Sequence, residues 1–269
     1  MEEKFFTQSL VISNEKIAPE IFSLKLRAPE VAQIARAGQF AMIYLNRGEM
    51  LLPRPISFCD ADGDALELVF HVVGAGTAAL SQTQTGAQIK ILAPLGNGFS
   101  VEKNSRRVAI VGGGIGTPPL FFLAKTLAAR GIEFDIFLGF RDTPILIEKF
   151  KKILHETSSL HEGNNLHETN LSRGNIFIAT ENGSVGHHGR VTDILESRGV
   201  YDEIFSCGPV PMLRAIADFA RKTNTPCKVS VEERMACGLG TCVGCVVKIA
   251  GEYVRICREG PVFDAEKIF

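Results

Sequence analysis

Val108-Ala-Ile-Val-Gly-Gly-Gly-Ile-Gly-Thr-Pro-Pro119 decides the reading of the chain, because it joins a short apolar run to four glycines in five positions and then to two prolines. The run suits a buried strand, and Gly112, Gly113, Gly114 and Gly116 suit a tight loop. Thr117 is a plausible helix N-cap and Pro118 fits the first helical position, after which Leu120, Phe121, Leu123, Ala124 and Leu127 recur at helical spacing to about Arg130. Further strand patterns follow at Phe134-Asp-Ile-Phe-Leu138, Asn175-Ile-Phe-Ile-Ala179 and Glu203-Ile-Phe-Ser206, separated by helical segments. Strands alternating with helices predict an α/β domain with a parallel sheet over 103–226.

Upstream the texture differs. Ile21-Phe-Ser-Leu-Lys-Leu26, Gln39-Phe-Ala-Met-Ile-Tyr-Leu45 and Leu66-Glu-Leu-Val-Phe-His-Val-Val73 are short apolar alternations punctuated by glycine, proline or Asp-Gly. They predict an antiparallel β-barrel over 1–102. Downstream, 227–269 is a small module dense in cysteine, and the fold class is therefore mixed. Between these regions Leu-His-Glu recurs at 154–156, 160–162 and 166–168. Its six-residue period puts the histidines on no common helical face, which favours a solvated loop insertion over a metal site.

The 269 residues are 45% apolar, enough for a sizeable core, and 29 basic residues nearly cancel 30 acidic ones. That balance argues against nucleic acid or an anionic membrane as partner. The start, Met1-Glu-Glu-Lys-Phe-Phe6, has no basic stretch leading into an apolar one, and no run of about 18 apolar residues occurs, so a cytoplasmic protein is expected.

Four of the seven cysteines fall between 237 and 257, spaced Cys237-x4-Cys242-x2-Cys245-x11-Cys257. The first three match the plant-type 2Fe–2S spacing, in which one tight loop supplies three thiolates and a later cysteine the fourth. Gly238, Gly240 and Gly244 suit a loop that must bring amides close to sulfur. Structural zinc and a coincidence of buried cysteines are the competing readings, although zinc sites favour two Cys-x2-Cys pairs and only one is present.

Two further motifs form a possible anion clamp. Arg54-Pro-Ile-Ser57 holds an arginine extended before proline, able to fork onto a pyrophosphate, and Gly74-Ala-Gly-Thr77 offers backbone amides at a helix start. Each is weak alone. The loop at 112–119 is not the strict dinucleotide fingerprint, since Thr117 stands where its last glycine or alanine belongs and Gly139-Phe-Arg141 replaces the acidic ribose ligand. Its glycines could serve only a tight turn.

Together these motifs resemble the ferredoxin–NADP reductase superfamily, with its Arg-x-x-Ser/Thr, Gly-Thr helix start, Gly-Gly-x-Gly-x-x-Pro loop and late Cys-Gly-Pro, here Cys207-Gly208-Pro209. With Pro94-Leu-Gly-Asn-Gly-Phe99 and Val231-Glu-Glu-Arg-Met-Ala-Cys237 added, the chain resembles electron-transfer subunits of class 1B dihydroorotate dehydrogenases. The resemblance implies FAD held by Arg54, Pro55, Ile56, Ser57, Val73, Gly74, Gly76 and Thr77, with Arg54 on the pyrophosphate and Ser57 near the flavin N5 edge. It implies NAD on Gly113, Gly114, Gly116, Thr117, Cys207, Gly208 and Pro209, and a 2Fe–2S cluster on Cys237, Cys242, Cys245 and Cys257. It further implies an FMN-containing catalytic partner subunit, in a heterotetramer of two of each, that oxidises dihydroorotate in pyrimidine biosynthesis. Electrons would pass from that FMN through the cluster and FAD to NAD+, with no catalytic acid or base required in this chain. NADH is expected over NADPH because no basic pair awaits a 2′-phosphate. The alternatives are a related ferredoxin–NADP+ or sulfide-linked reductase subunit, and a redox sensor.

Overall fold

The computed structural model describes residues 3–45, 51–159 and 174–269, with the backbone alone at 156–159. The chain divides into two compact units, one made of 1–99, 230–263 and 268, the other of 100–229, 264–267 and 269.

The first unit begins with β1 (Phe5–Ala18), β2 (Ile21–Arg27), the short helix α1 (Pro29–Ala32), β3 (Phe40–Tyr44), β4 (Arg54–Asp62), β5 (Ala65–His71), α2 (Ala75–Ser81) and β6 (Gln88–Leu95). The six strands close into an antiparallel barrel in the order β1-β2-β5-β4-β3-β6. Alternation explains the closure: in β2, Leu24 and Leu26 are buried while Lys25 and Arg27 face solvent. Asp62 pairs with Ala65 across a two-residue turn, and Gly63 supplies the left-handed φ of 57° that such a turn requires.

The same unit takes in the cysteine-rich segment. A hairpin of β13 (Val246–Ile249) and β14 (Glu252–Arg255) turns at Ala250 and Gly251, both left-handed, and leads into α7 (Ile256–Glu259). Cys245, Ile249, Ile256 and Cys257 bury together with Phe40 and Met42 of β3 and Leu92 and Leu95 of β6. The 94–99 motif locks this contact. Gly96 has φ 74°, and a Cβ there would stand 2.6 Å from Pro261 Cδ. The next amide, of Asn97, donates to the Gly260 carbonyl at 2.6 Å.

The second unit carries β7 (Arg107–Gly113), α3 (Thr117–Ala129), β8 (Glu133–Phe140), α4 (Ile147–Ser159), β9 (Ile176–Thr180), β10 (His187–His188), α5 (Val191–Glu196), β11 (Glu203–Cys207), α6 (Val210–Thr223) and β12 (Cys227–Ser230). Its strands neighbour one another in the order β10-β9-β8-β7-β11-β12, parallel from β10 through β11. Every residue of β11 is buried, as strands covered on both faces must be. Thr117 does not cap α3: a 3-10 turn at Gly114–Gly116 starts the winding early, the cap falls on Gly116, and Thr117 is already helical. The first Leu-His-Glu, 154–156, lies on α4, whereas 160–162 and 166–168 lie outside the described residues.

One carboxylate ties the sheet together. Asp135 in β8 is buried and accepts from Arg107 Nη2 (2.8 Å), Tyr201 Oη (2.8 Å), and the backbone and side-chain amides of Asn175 (2.8 and 3.0 Å). Burial pushes this carboxyl up, but the bonds from Arg107, Tyr201 and Asn175 outweigh it and hold the group below its ordinary value of 3.8. A depressed folded value stabilises above the unfolded one and is lost as pH falls through it. Asp135→Asn should therefore cost roughly 2 kcal/mol at pH 7 and blunt the loss of stability below about pH 4. Denaturant titrations of both proteins at pH 7 and in acid check this, and equal stability at pH 7 would contradict it.

Candidate functional site

In the first unit the two anion-clamp motifs come together. β4 opens on Arg54, which pairs with Ile43, and a Cβ built on Gly76 would fall 1.8 Å from Arg54 Nε and 2.1 Å from Nη2. Only glycine leaves room for that guanidinium, which also donates to the Leu52 carbonyl. Thr77 is spent on shaping the loop: its Oγ1 accepts from the Val73 amide (2.9 Å) and the Gly74 amide (3.2 Å). Strand alternation sets Ser57 and Pro55 on the opposite face of β4 from Arg54 and Ile56.

A cleft of 910 Å³ opens beside Arg54, lined by Leu51 to Pro55 and Ala75 and also by Glu232, Glu233, Arg234 and Met235. The residues just before Cys237 thus form a wall of the cavity that Arg54 lines. Sequence reading gave those four no role, because nothing local links them to Arg54. Ile56, Ser57, Val73, Gly74, Gly76 and Thr77 are not in that wall, and Val73 is largely exposed.

None of the seven cysteines is in a disulfide. In the 237–257 segment the thiols contact in two pairs, Cys237 with Cys242 and Cys245 with Cys257. Amides point at three of the sulfurs: Leu239 N to Cys237 Sγ (3.3 Å), Gly244 N to Cys242 Sγ (3.5 Å) and Cys257 N to Cys245 Sγ (3.4 Å). Among the described residues no three His, Cys, Asp or Glu side chains could hold one metal ion. Thiols arranged in two pairs fit two irons, each needing two thiolates, better than a single tetrahedral zinc.

The loop is shaped by Gly238 (φ 70°), Gly240 (φ 80°) and Val243 (φ 51°). Val243 rather than Gly244 carries the third left-handed turn. A Cβ on Gly238 would meet Met42 Cγ at 2.6 Å, so the loop lies directly on β3. Arg255 braces it from the other side, donating to the Gly240 carbonyl (3.2 Å) and pairing with Glu259 (2.5 Å). Burial raises Cys237, but bonds from the Thr241 hydroxyl, the Cys242 and Leu239 amides and the Cys242 thiol bring it down to about 5. Burial, then the contact with Cys245, pushes Cys257 up to about 12.

In the second unit the glycine loop and the Cys-Gly-Pro motif meet at the carboxyl ends of β7 and β11. A Cβ on Gly116 would stand 2.4 Å from the Cys207 carbonyl oxygen, and one on Gly113 2.8 Å from Pro209 Cδ. Thr117 Oγ1 is buried there without a partner. Gly113, Gly114 and Pro209 line a 410 Å³ pocket, while Gly116, Thr117, Cys207 and Gly208 lie outside its lining. The pocket continues to Phe140, Arg141, Glu181, Arg190, Val191 and Thr192. A basic pair is present after all. Arg190 escaped the sequence reading because it lies far along the chain from Arg141 and reaches the same sheet edge only through β9 and β10. A cradle that a Cβ would fill and an orphaned hydroxyl fit a bound dinucleotide.

Comparison with known proteins follows the same division. Residues 232–269 match the family model described as the iron-sulfur cluster binding domain of dihydroorotate dehydrogenase B. The chain is 37% identical over 263 residues to the "Dihydroorotate dehydrogenase B (NAD(+)), electron transfer subunit" of Caldanaerobacter subterraneus subsp. tengcongensis, covering 96% of each. The protein of that name from Clostridium acetobutylicum is also 37% identical, over 264 residues, 98% of this chain and 96% of the relative. Among solved structures, one described under "Insights into flavin-based electron bifurcation via the NADH-dependent reduced ferredoxin-NADP oxidoreductase structure" superposes with TM-score 0.82 at 29% identity, covering 97% of this chain and 89% of that one. A ferredoxin NADP+ reductase from Neisseria gonorrhoeae shares the fold, with TM-score 0.64 at 16% identity, over 85% of this chain and 94% of its own.

The Gly116 contact is with backbone, which cannot rotate aside. Gly116→Ala should cost about 2 kcal/mol in the second unit through overpacking, whereas Gly74→Ala, whose Cβ would meet nothing within 4 Å, should be neutral. Chemical denaturation of the two variants measures the difference; equal stabilities would refute the packing argument.

Proposed function

Since the chain belongs to the family of dihydroorotate dehydrogenase B electron transfer subunits, we propose that it carries electrons from a dihydroorotate-oxidising partner subunit to NAD+ in pyrimidine biosynthesis. The observation that carries this reading is the 910 Å³ cleft, whose wall joins the Arg54 clamp to the residues leading into the cysteine loop. FAD, when bound, exchanges electron pairs with nicotinamide and single electrons with an iron–sulfur cluster.

The chain's own residues then have distinct tasks. Arg54 forks onto the FAD pyrophosphate, Gly76 leaves room for it, and Thr77 holds the loop from Val73 to Gly74 in shape. Pro55 and Ile56 would line the flavin ring and Ser57 would lie near its N5 edge. Gly113, Gly114, Gly116 and Thr117 receive the dinucleotide, with Cys207, Gly208 and Pro209 at its nicotinamide end. Cys237, Cys242, Cys245 and Cys257 would hold the cluster, and the amides of Leu239, Gly244 and Cys257 would stabilise the thiolates of Cys237, Cys242 and Cys245. The partner is an FMN-containing catalytic subunit, in a cytoplasmic heterotetramer of two of each. No helix among the described residues is long and apolar enough to cross a membrane.

The purified protein should contain about two irons and two sulfides per FAD, and Cys242→Ser should lose the iron; stoichiometric zinc would defeat the cluster. Gly76→Ala, by displacing Arg54, should lower FAD retention by at least about tenfold, read from flavin absorbance after dialysis. Co-expression with a dihydroorotate-oxidising subunit should give dihydroorotate-dependent NAD+ reduction. Activity with reduced ferredoxin and none with dihydroorotate would favour a ferredoxin-linked reductase instead.

A further inference from the structure

We propose that Arg255 is a positioning residue for the iron–sulfur centre: by holding the Gly240 carbonyl it keeps the Gly240 amide facing the Cys257 sulfur, and so sets the potential of the centre and its grip on iron. The inference rests on the 2Fe–2S reading given above.

The four cysteines belong to two differently built halves. Cys237 and Cys242 lie on a loop with neither strand nor helix. Cys245 and Cys257 flank the β13–β14 hairpin and are tied to each other: the Ile256 amide donates to the Cys245 carbonyl (3.2 Å), and the Cys257 amide points at Cys245 Sγ (3.4 Å). Arg255 stands on that hairpin, paired with Val246 and two residues before Cys257.

Its side chain spans the two halves. The backbone amide, Nε and Nη2 of Arg255 all donate to the Glu259 carboxylate (2.7, 3.2 and 2.5 Å), which leaves Nη1 aimed at the Gly240 carbonyl (3.2 Å). Glu259 is anchored in turn, because Asn97 Nδ2 donates to its carbonyl (2.9 Å) and to that of Arg258 (3.4 Å). The guanidinium therefore works from a fixed base.

Gly240 is the residue that needs such a hold. Its backbone is left-handed, with φ 80°, and glycine has the most freedom to lose. Its amide faces the Cys257 sulfur, while the Thr241 hydroxyl and the Cys242 amide that follow it turn toward Cys237. One glycine thus links the loop to the enclosed pair. Amides directed at sulfur favour the more negative, reduced state of a cluster, so losing one lowers the potential. Only a planar fork can satisfy Glu259 and Gly240 together, and lysine has none.

Arg258 supplies the contrast. It flanks Gly240 as well, since a Cβ there would stand 3.1 Å from Arg258 Cδ. Its side chain is 60% exposed and 4.0 Å from Glu259, and among the described residues it makes no hydrogen bond to Gly240. It offers equal charge on the same turn without the hold.

Redox titration followed by EPR, and the rate of iron release to a chelator, test this on FAD- and cluster-loaded wild type, Arg255→Gln, Arg255→Lys and Arg258→Gln. Both Arg255 variants should shift the one-electron equilibrium about tenfold toward the oxidised cluster, a fall of about 59 mV, and release iron about tenfold faster. Arg258→Gln should move the equilibrium less than about twofold. Arg255→Lys behaving as wild type, or Arg258→Gln behaving as Arg255→Gln, would assign the effect to charge and overturn the positioning role. Loss of FAD together with iron in Arg255→Lys would make Arg255 a support of the whole unit and overturn it equally. A wild-type protein that gives no reduced-cluster EPR signal overturns the 2Fe–2S reading beneath it, and this role with it.

Discussion

The apolar seam that buries Cys245 and Cys257 against Phe40, Met42, Leu92 and Leu95 is the constraint on which the first unit depends. It makes barrel strands β3 and β6 the floor of the cysteine loop, so a loop with little regular structure inherits the rigidity of a closed sheet. The seam leaves Cys242 exposed and Cys237 half-buried while the other two sulfurs are enclosed. Thiolate charge in so apolar a place would be expensive without compensation. The amides aimed at sulfur and the Arg255–Glu259 brace supply part of it. Because β3 also pairs with β4, whose first residue is Arg54, one sheet sets the position of both clamp and cysteines.

Missing Cβ atoms do comparable work in both units. At Gly76 the space is taken by a side chain, and at Gly116 by a neighbouring strand's backbone. The consequences differ: the first contact organises a charged group that can still move, whereas the second fuses two strand ends into one surface. Backbone made rigid in this way suits recognition of a feature common to many ligands, such as a pyrophosphate.

Much of this was legible in the chain. The strand-glycine-helix signature at 108–119 gave the parallel sheet, and alternation at 21–26 and 66–73 gave the barrel, because each pattern is local and has its own period. The cysteine spacing was equally local. What the sequence hid was adjacency between distant segments. Nothing in Glu232 to Met235 announces that they face Arg54, nothing in Gly96 announces Pro261, and Arg190 shows no link to Arg141 until β9 and β10 bring the two together. Thr117 was misjudged for a finer reason: Gly114 and Gly116 let the chain begin to wind before the residue whose type best suits a cap.

The division between backbone and side chain has a consequence for how such a chain can change. At Gly113, Gly116 and Gly208 the glycine loop and the Cys-Gly-Pro turn are packed so closely that an added Cβ collides, and their chemistry is fixed with them. Glu181, Arg141 and Arg190 stand on exposed turns beyond the strand ends, where a substitution alters charge without disturbing packing. The fold therefore secures a rigid backbone cradle at the strand ends and leaves the charges around it replaceable. Charge can change there while the seam that buries Cys245 and Cys257 in the other unit stays as it is.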